Sequence, residues 1–291
     1  MKLLVSLNRK EVDDYLDYTN SFIIGLKDYS INYLEFTFEE IKELLNKNPK
    51  IELFVSINKN IFNSEISDLE KILTELNKIP IKGILFYDLS ILSIVKRLSL
   101  NIPLCWHQTH MVTNYNTCNY YKEKGCSYAY LSSEITSDEM REIANNCNLS
   151  LMTLFMGHPI VSHSKRLLLS NYFENYRYEK EYKNYLIKSK DSANYYVKET
   201  SNGTSIIYGN IINGSRYLVE LKDYIDYAIL DEQYINHDDF VNLLALFDNL
   251  INVEDESLKE KYFLEIEKII GNDTGFFDKK TIYKVKKNEK N

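Results

Sequence analysis

The sequence predicts an α/β chain folded as a TIM-like (β/α) barrel, with a small β-hairpin insertion and C-terminal helices. Three observations carry this. Short apolar runs alternate with amphipathic stretches along most of the chain, the rhythm of parallel strands joined by helical crossovers. About seven or eight such units favour a closed barrel over an open doubly wound sheet. The exit of the first apolar run, Ser6-Leu7-Asn8-Arg9-Lys10, contains no glycine, so the phosphate loop of a dinucleotide-binding sheet is missing.

In chain order, Leu3–Leu7, Phe22–Leu26, Ile51–Ile57, Ile81–Tyr87, Ile102–Trp106, Tyr128–Leu131 and Leu149–Met156 are the predicted barrel strands, and Tyr227–Leu230 is the last. Helical patterns fall between them. Phe38, Ile41, Leu44 and Leu45 share one helical face over Phe38–Leu45. Ser64–Leu76 repeats the pattern with Ile66, Leu69, Ile72, Leu73 and Leu76, and Ser64 is its expected N-cap. Ser90–Leu98, Thr117–Lys124 and Thr136–Cys147 complete the series, the last opened by a Thr136/Glu139 capping box. After Lys190 the rhythm breaks. Tyr195–Glu199, Ser205–Tyr208 and Tyr217–Leu221 are strand-like pieces separated by Asn202-Gly203 and Asn213-Gly214, a strong hairpin signal. Residues 1–190 therefore form the main part of the barrel and 191–222 a β insertion over one end. Residues 223–291 supply the last strand, the closing helices His237–Leu250 and Glu254–Ile270, and a tail.

Composition bounds the function. The 291 residues can bury a large core, and 44% hydrophobic with 26% charged residues is globular composition. A net charge of −7 argues against a protein that coats itself in nucleic acid unaided. The one basic cluster, Lys279, Lys280, Lys284, Lys286, Lys287 and Lys290, reads as a solvated tail. No apolar run reaches membrane-spanning length, so no membrane association is expected. The short apolar start reads as a strand rather than a secretory leader, which predicts a cytoplasmic protein. Cys105, Cys118, Cys126 and Cys147 show no metal-type spacing and read as free thiols in a reducing compartment.

Active groups of a parallel barrel collect on the loops leaving the strand C-termini. That rule selects Asn58-Lys59-Asn60, Asp88, His107 to His110, Ser132-Ser133-Glu134, and the run from His158 to Arg166. Four of five histidines, His107, His110, His158 and His163, lie on two of these exits. His107, His110, Asn114, Asn119 and Glu134 are placed on the rim. No metal ligand set is expected, because the histidine spacings match no known motif. Ser162 or Ser164 could be a nucleophile with His158 or His163 as base, although no nucleophile-elbow motif surrounds them; the serines could equally be turn formers. Lys165 and Arg166 beside Asn171 and Tyr172 suit an RNA or another anion, with a base stacked on the tyrosine. The alternative is a helix start with Tyr172 and Phe173 in the core.

The segment Met156-Gly157-His158-Pro159-Ile160-Val161-Ser162-His163-Ser164-Lys165-Arg166-Leu167-Leu168-Leu169-Ser170-Asn171-Tyr172-Phe173 resembles the central motif of the peptidase U32 (collagenase-like protease) family. Thr113 to Tyr121 resembles a T-N-x-x-T-x-x-Y region of its short Gram-positive members. Asp273-Thr274-Gly275-Phe276-Phe277, leading to Thr281-Ile282-Tyr283, resembles their C-terminal motif, and the hairpin at Asn202-Gly203-Thr204 also has a counterpart there. The resemblance covers nearly the whole chain. It implies either a peptidase or a factor in oxygen-independent hydroxylation of tRNA wobble uridine, ribosomal RNA or a ubiquinone precursor. The hydroxylating members hold an iron–sulfur cluster on four cysteines. Two of these align with Ile160 and Leu167, and Phe173 to Lys198 contains no cysteine, so no cofactor is expected here. The resemblance thus points first to a factor in tRNA 5-hydroxyuridine formation, acting alone or as a cluster-free partner of a longer U32 paralogue, with tRNA as a partner. The alternatives are a U32-type peptidase and a non-catalytic scaffold.

Overall fold

The computed structural model describes residues 1–178, 185–188 and 194–279. Its strands are β1 (Lys2–Ser6), β2 (Ser21–Leu26), the two-residue β3 (Glu35–Phe36), β4 (Glu52–Ile57), β5 (Gly83–Phe86), β6 (Leu104–Trp106), β7 (Tyr128–Tyr130) and β8 (Ser150–Gly157), then β9 (Ile160–Ser164), β10 (Tyr185–Lys188), β11 (Asn194–Thr200), β12 (Gly203–Tyr208), β13 (Ile212–Asn213) and β14 (Tyr227–Asp231). The helices are α1 (Phe38–Lys47), α2 (Ile66–Leu76), α3 (Leu89–Arg97), α4 (Tyr115–Glu123), α5 (Ser137–Asn146), α6 (Leu168–Tyr176), α7 (Ser215–Leu221), α8 (His237–Asn252) and α9 (Glu256–Ile270).

Eight parallel strands run in the order β1-β14-β8-β7-β6-β5-β4-β2, and pairing of β1 with β2 closes the ring. The expected barrel is present. Its strands read as continuous apolar runs because both faces are buried. Leu4, Ile23, Phe54, Leu85, Cys105, Met152 and Ile229 point into the barrel, while neighbours such as Val5, Phe22, Val55, Ile84 and Leu230 point out to the helices. Helix starts are set locally. Thr136 and Glu139 form the expected capping box, and Thr37 with Glu40 forms a second. Ser64 is not a cap: it lies in a 3-10 turn, Asn63–Glu65, that precedes α2.

The insertion differs from its expected bounds. It begins directly after β8 rather than at residue 191, because Ile160–Ser164 pairs antiparallel with β12 in a second sheet of order β10-β11-β12-β9. Gly157 makes the change of direction. Its φ of +139° and a would-be Cβ only 2.6 Å from the Asp231 side chain exclude a side chain there. Asn202-Gly203 turns β11 into β12, with Gly203 at φ +124°. Asn213-Gly214 is no hairpin. The Asn213 carboxamide accepts the Ser215 N–H at 3.2 Å, and Tyr217–Leu221 lies inside α7 instead of a strand. Leu218 and Leu221, three apart, bury one helical face, a spacing that a short apolar run does not distinguish from a strand. Of the basic tail only Lys279 lies within the described residues. Among them no helix is long and apolar enough to cross a membrane.

A buried carboxylate ties the last strand exit to the first. Glu232, 2% exposed, accepts hydrogen bonds from the Asn8 backbone N–H (3.1 Å) and the Tyr15 hydroxyl (2.8 Å), and pairs with His237 Nδ1 (2.9 Å). His237 Nε2 meets Asp14 at 3.0 Å. Glu232→Ala leaves the buried Tyr15 hydroxyl with only the long 3.4 Å contact to His237 Nδ1 and removes the partner of His237, and is expected to cost about 1–3 kcal/mol. The pH dependence has a defined sign. Partial burial opposes charge on His237, but Glu232 and Asp14 outweigh it and raise its pKa above 6.5. Its contribution is therefore full below the ordinary histidine range and fades as pH rises through the raised value. Urea unfolding should show the His237→Ala deficit shrinking between pH 6 and pH 9; an unchanged deficit would separate the histidine charge from stability.

Candidate functional site

A narrow cleft, partly open to solvent, occupies the C-terminal mouth of the barrel. Ser6 from β1, Tyr33 between β2 and β3, His107 after β6, Tyr130 on β7, His158 after β8 and Asp231 at the end of β14 converge on it. A second lobe continues from the shared Ser6, Tyr33 and Asp231 to Lys198 and Gln233. Alternation along β11 turns Tyr196 and Lys198 of the insertion toward the barrel. The insertion is fastened to the rim twice. Asn202 donates to the Ser30 carbonyl at 2.8 Å, and Lys165 sits over the Phe62 ring at 3.3 Å and 3.6 Å from Glu65.

One side of the cleft is aromatic. The His107 ring stacks on Tyr130 with centroids 4.3 Å apart and planes 9° apart, and Tyr33 leans on it at 6.3 Å. His107 is 8% exposed, and its Nδ1 has no hydrogen-bond partner among the described residues. Burial lowers its pKa to about 4, so the ring is neutral at pH 7. Burial raises both Tyr33 and Tyr130, which keeps their phenols protonated. His158 Nδ1 donates to the Tyr208 carbonyl at 2.9 Å, which leaves Nε2 with its lone pair. Its ring meets the edges or faces of Tyr196 and Tyr234, themselves stacked at 4.2 Å.

The other side carries charge. Burial raises the Asp231 carboxyl to about 6, against the opposing effects of the Ser6 hydroxyl, the Gln233 N–H and Lys198. Burial lowers Lys198, while Asp231 and Glu35 hold its proton. A carboxyl that titrates near neutrality beside neutral imidazoles can take up or release a proton in a water-poor site. Two rings stacked at its wall can seat a planar ligand.

The sequence-selected residues scatter over different tasks. His107 and His158 line the cleft. His110 instead pairs with Glu134 at 3.0 Å on the exposed rim. Asn114 caps α4 through the Thr117 N–H, and Asn119 donates to the Asn146 carbonyl between α4 and α5, so both serve the helical layer. The pairing of His163 with either serine is not assembled. Ser162, His163 and Ser164 are consecutive on β9, so the imidazole projects from the opposite face to both hydroxyls. His163 Nδ1 bonds Ser205 Oγ at 2.9 Å, and Ser164 Oγ accepts the Arg166 N–H at 3.2 Å. Lys165 is held by Glu65 and Phe62, whereas Arg166, Asn171 and Tyr172 are exposed. Tyr172, 51% exposed, is not a core residue and stacks obliquely on Tyr176 at 4.8 Å. Tyr33, Lys198 and Asp231 were missed. The strand-exit rule, extended to the last strand, selects Asp231; nothing local marks the other two.

The four-thiolate cluster raised by the resemblance does not fit these residues. Ile160 lines the cleft with hydrocarbon and Leu167 is an exposed aliphatic side chain. Cys105 lies inside the barrel against Met152, Cys126 is in the core, and Cys118 and Cys147 lie at the α4–α5 layer. Among the described residues no group of three or more histidine, cysteine, aspartate and glutamate side chains is arranged to hold a metal ion.

Comparison with known proteins adds a family. The model of Peptidase family U32 matches residues 12–287. "tRNA hydroxylation protein P2" of Bacillus subtilis (strain 168) is 27% identical over 284 residues, covering 90% of this chain and 92% of that protein. "tRNA hydroxylation protein P1" of the same organism is 26% identical over 157 residues, 53% of this chain and 37% of that protein. Among solved structures, the U32 peptidase Mk0906 matches with a TM-score of 0.45 and 10% identity over 55% of this chain and 70% of its own. The tryptophan synthase A-subunit of Pyrococcus furiosus gives 0.46 and 11% over 93% and 98%. The barrel itself rests on the strand pairings.

Proposed function

The chain belongs to peptidase family U32, and from that premise we propose that it serves in tRNA wobble-uridine 5-hydroxylation in the cytoplasm, alone or as the cluster-free partner of a longer U32 paralogue. The observation that carries this reading is the match, along 92% of its length, to a protein named for tRNA hydroxylation. That a second such relative occurs in the same organism supports a paralogue partner.

The cleft supports the same reading. A uracil ring turned out of its stack can lie against the His107–Tyr130 pair, near the free ring nitrogen of His158. Arg166, Asn171 and Tyr172 face solvent on the insertion, where a phosphate and a neighbouring base can be held. Replacing hydrogen by hydroxyl at C5 removes two electrons from the base. The carboxyl, imidazoles and phenols of the cleft move protons and position the ring, so the oxygen donor and electron acceptor come from a co-reactant or from the partner. No iron–sulfur cluster is assigned to this chain.

Deletion of the gene, alone and together with any longer paralogue, followed by mass spectrometry of tRNA nucleosides tests the proposal. Loss of 5-hydroxyuridine and its derivatives is expected. Unchanged amounts in both strains would overturn it.

A further inference from the structure

Two of the four cysteines stand apart from the others. Cys118 lies on the buried face of α4, and Cys147 is the C-cap residue of α5, half-buried at the turn into β8. Both lie where α4 packs on the C-terminal end of α5. Independent contacts hold the backbone around them in register. Asn119, next to Cys118, donates to the Asn146 carbonyl at 2.8 Å, and Lys122, one helical turn on, donates to the Asn148 carbonyl. The Leu149 N–H points at Cys147 Sγ at 3.4 Å. Half-buried Cys147 is thus flanked by the Leu149 N–H and by the face of α4 that carries Cys118 and Lys122. Cys105 and Cys126 have none of this and are fully enclosed.

We propose that Cys118 and Cys147 form a dithiol that a hydroperoxide oxidises reversibly to an intrachain disulfide. The step balances without any other reagent. The Cys147 thiolate attacks the peroxide oxygen, the O–O bond breaks, and Cys147 becomes a sulfenic acid with release of water or alcohol. The Cys118 sulfur then attacks Cys147, displacing the hydroxyl as a second water and forming the S–S bond. The peroxide is reduced by two electrons, and the two thiols lose two electrons and two protons. A dithiol reductant reverses it.

The electrostatics agree with the geometry. The Cys118 S–H, the Leu149 N–H and Lys122 together bring Cys147 down to about 6 against the opposing effect of burial. Cys118 is pushed up by the neighbouring Cys147 and by burial, as the group that keeps its proton until the sulfenic acid forms. Burial pushes Cys105 far up and Cys126 to about 12, which makes both inert. The site lies in the outer helical layer, independent of the cleft, so it stands whether or not the chain acts on tRNA.

The test uses the whole chain, purified reduced. Brief treatment with a few equivalents of hydrogen peroxide, alkylation and non-reducing peptide mapping should recover one cross-linked pair containing Cys118 and Cys147, lost on treatment with dithiothreitol. In the untreated native protein, iodoacetamide should modify Cys147 at least about ten times faster than Cys105 or Cys126. In Cys118→Ser, which keeps a hydroxyl donor at that place, Cys147 should accumulate a dimedone adduct of its sulfenic acid instead of a cross-link. The proposal fails if native Cys147 reacts no faster than the two enclosed thiols. It also fails if peroxide converts Cys147 to sulfinic acid in the wild type without any 118–147 cross-link. Both of these readouts come from unmutated protein, so a folding defect in the variant does not decide them.

Discussion

Replacing Asp231 by asparagine is expected to lower tRNA hydroxylation that depends on this chain by about 10²- to 10⁴-fold, the usual contribution of a positioned acid–base group, while stabilising the fold near neutral pH. Both effects have one cause. The carboxyl closes the last barrel strand inside the cleft, and burial raises it to about 6 from an ordinary 3.8. The folded state therefore binds a proton more tightly than the unfolded state does. Asp231's contribution to stability is full below about pH 3.8 and is lost as pH rises through about 6. Above that range the ionised carboxyl costs the fold up to about 3 kcal/mol, and less to the extent that the open side of the cleft hydrates it. Asparagine removes the charge at nearly the same volume. Lys198 keeps Glu35 as a neighbour. Chemical denaturation at pH 5 and pH 8 should show Asp231→Asn more stable than wild type at the higher pH, with the gap closing at the lower. Nucleoside analysis of tRNA from cells carrying the variant should show the loss of product. Full activity, or equal destabilisation at both pH values, would remove Asp231 from the acid–base role.

The largest effect on stability is expected from Phe277→Ala. This residue belongs to the C-terminal Asp273-Thr274-Gly275-Phe276-Phe277 segment and is 4% exposed. Its ring lies between Tyr217 of α7, centroids 4.8 Å apart with planes 4° apart, and Phe155 of β8 at 5.4 Å. Its carbonyl accepts the Ser137 N–H at 2.9 Å at the start of α5, and the Asp273 carbonyl accepts the Asn213 N–H at 2.7 Å. A Cβ on Gly214 would lie 2.7 Å from the ring, so glycine is needed beneath it. Truncation to alanine empties this slot and should cost about 3–5 kcal/mol, read as a lower urea midpoint with an unchanged slope. Gly214→Ala should be somewhat less damaging in the Phe277→Ala background than alone, because the ring is gone while the Phe155 carbonyl, 2.8 Å from such a Cβ, remains. A cost below about 1 kcal/mol would mean that the C-terminal segment does not latch the last third of the barrel.

The barrel was legible because parallel strands with two buried faces leave uninterrupted apolar runs, and the crossover helices leave a period near 3.6. Thr136 and Glu139 marked a helix start because a capping box is a contact between residues three apart. The failures lie where sequence separation is large or one pattern fits two structures. Ile160–Ser164 looked like a polar strand exit because its partner, β12, is some forty residues away. Tyr217–Leu221 looked extended because five residues do not separate a strand from a helix whose packing comes from Phe277 and α8. The pairing of His163 with Ser162 or Ser164 failed for a simpler reason: neighbours in sequence face opposite sides of a strand.

Local chemistry alone thus specified the eight barrel strands, most of the helices, the hairpin at Asn202-Gly203 and the two histidines, His107 and His158, that reach the cleft. Folding decided the rest. Ring closure between β1 and β2 brings Ser6, Tyr33, His107, His158 and Asp231 to one mouth, and the return of β11 over that mouth adds Lys198. Their altered proton affinities come from the water that this enclosure removes, a property of the assembled site that no single stretch of sequence carries.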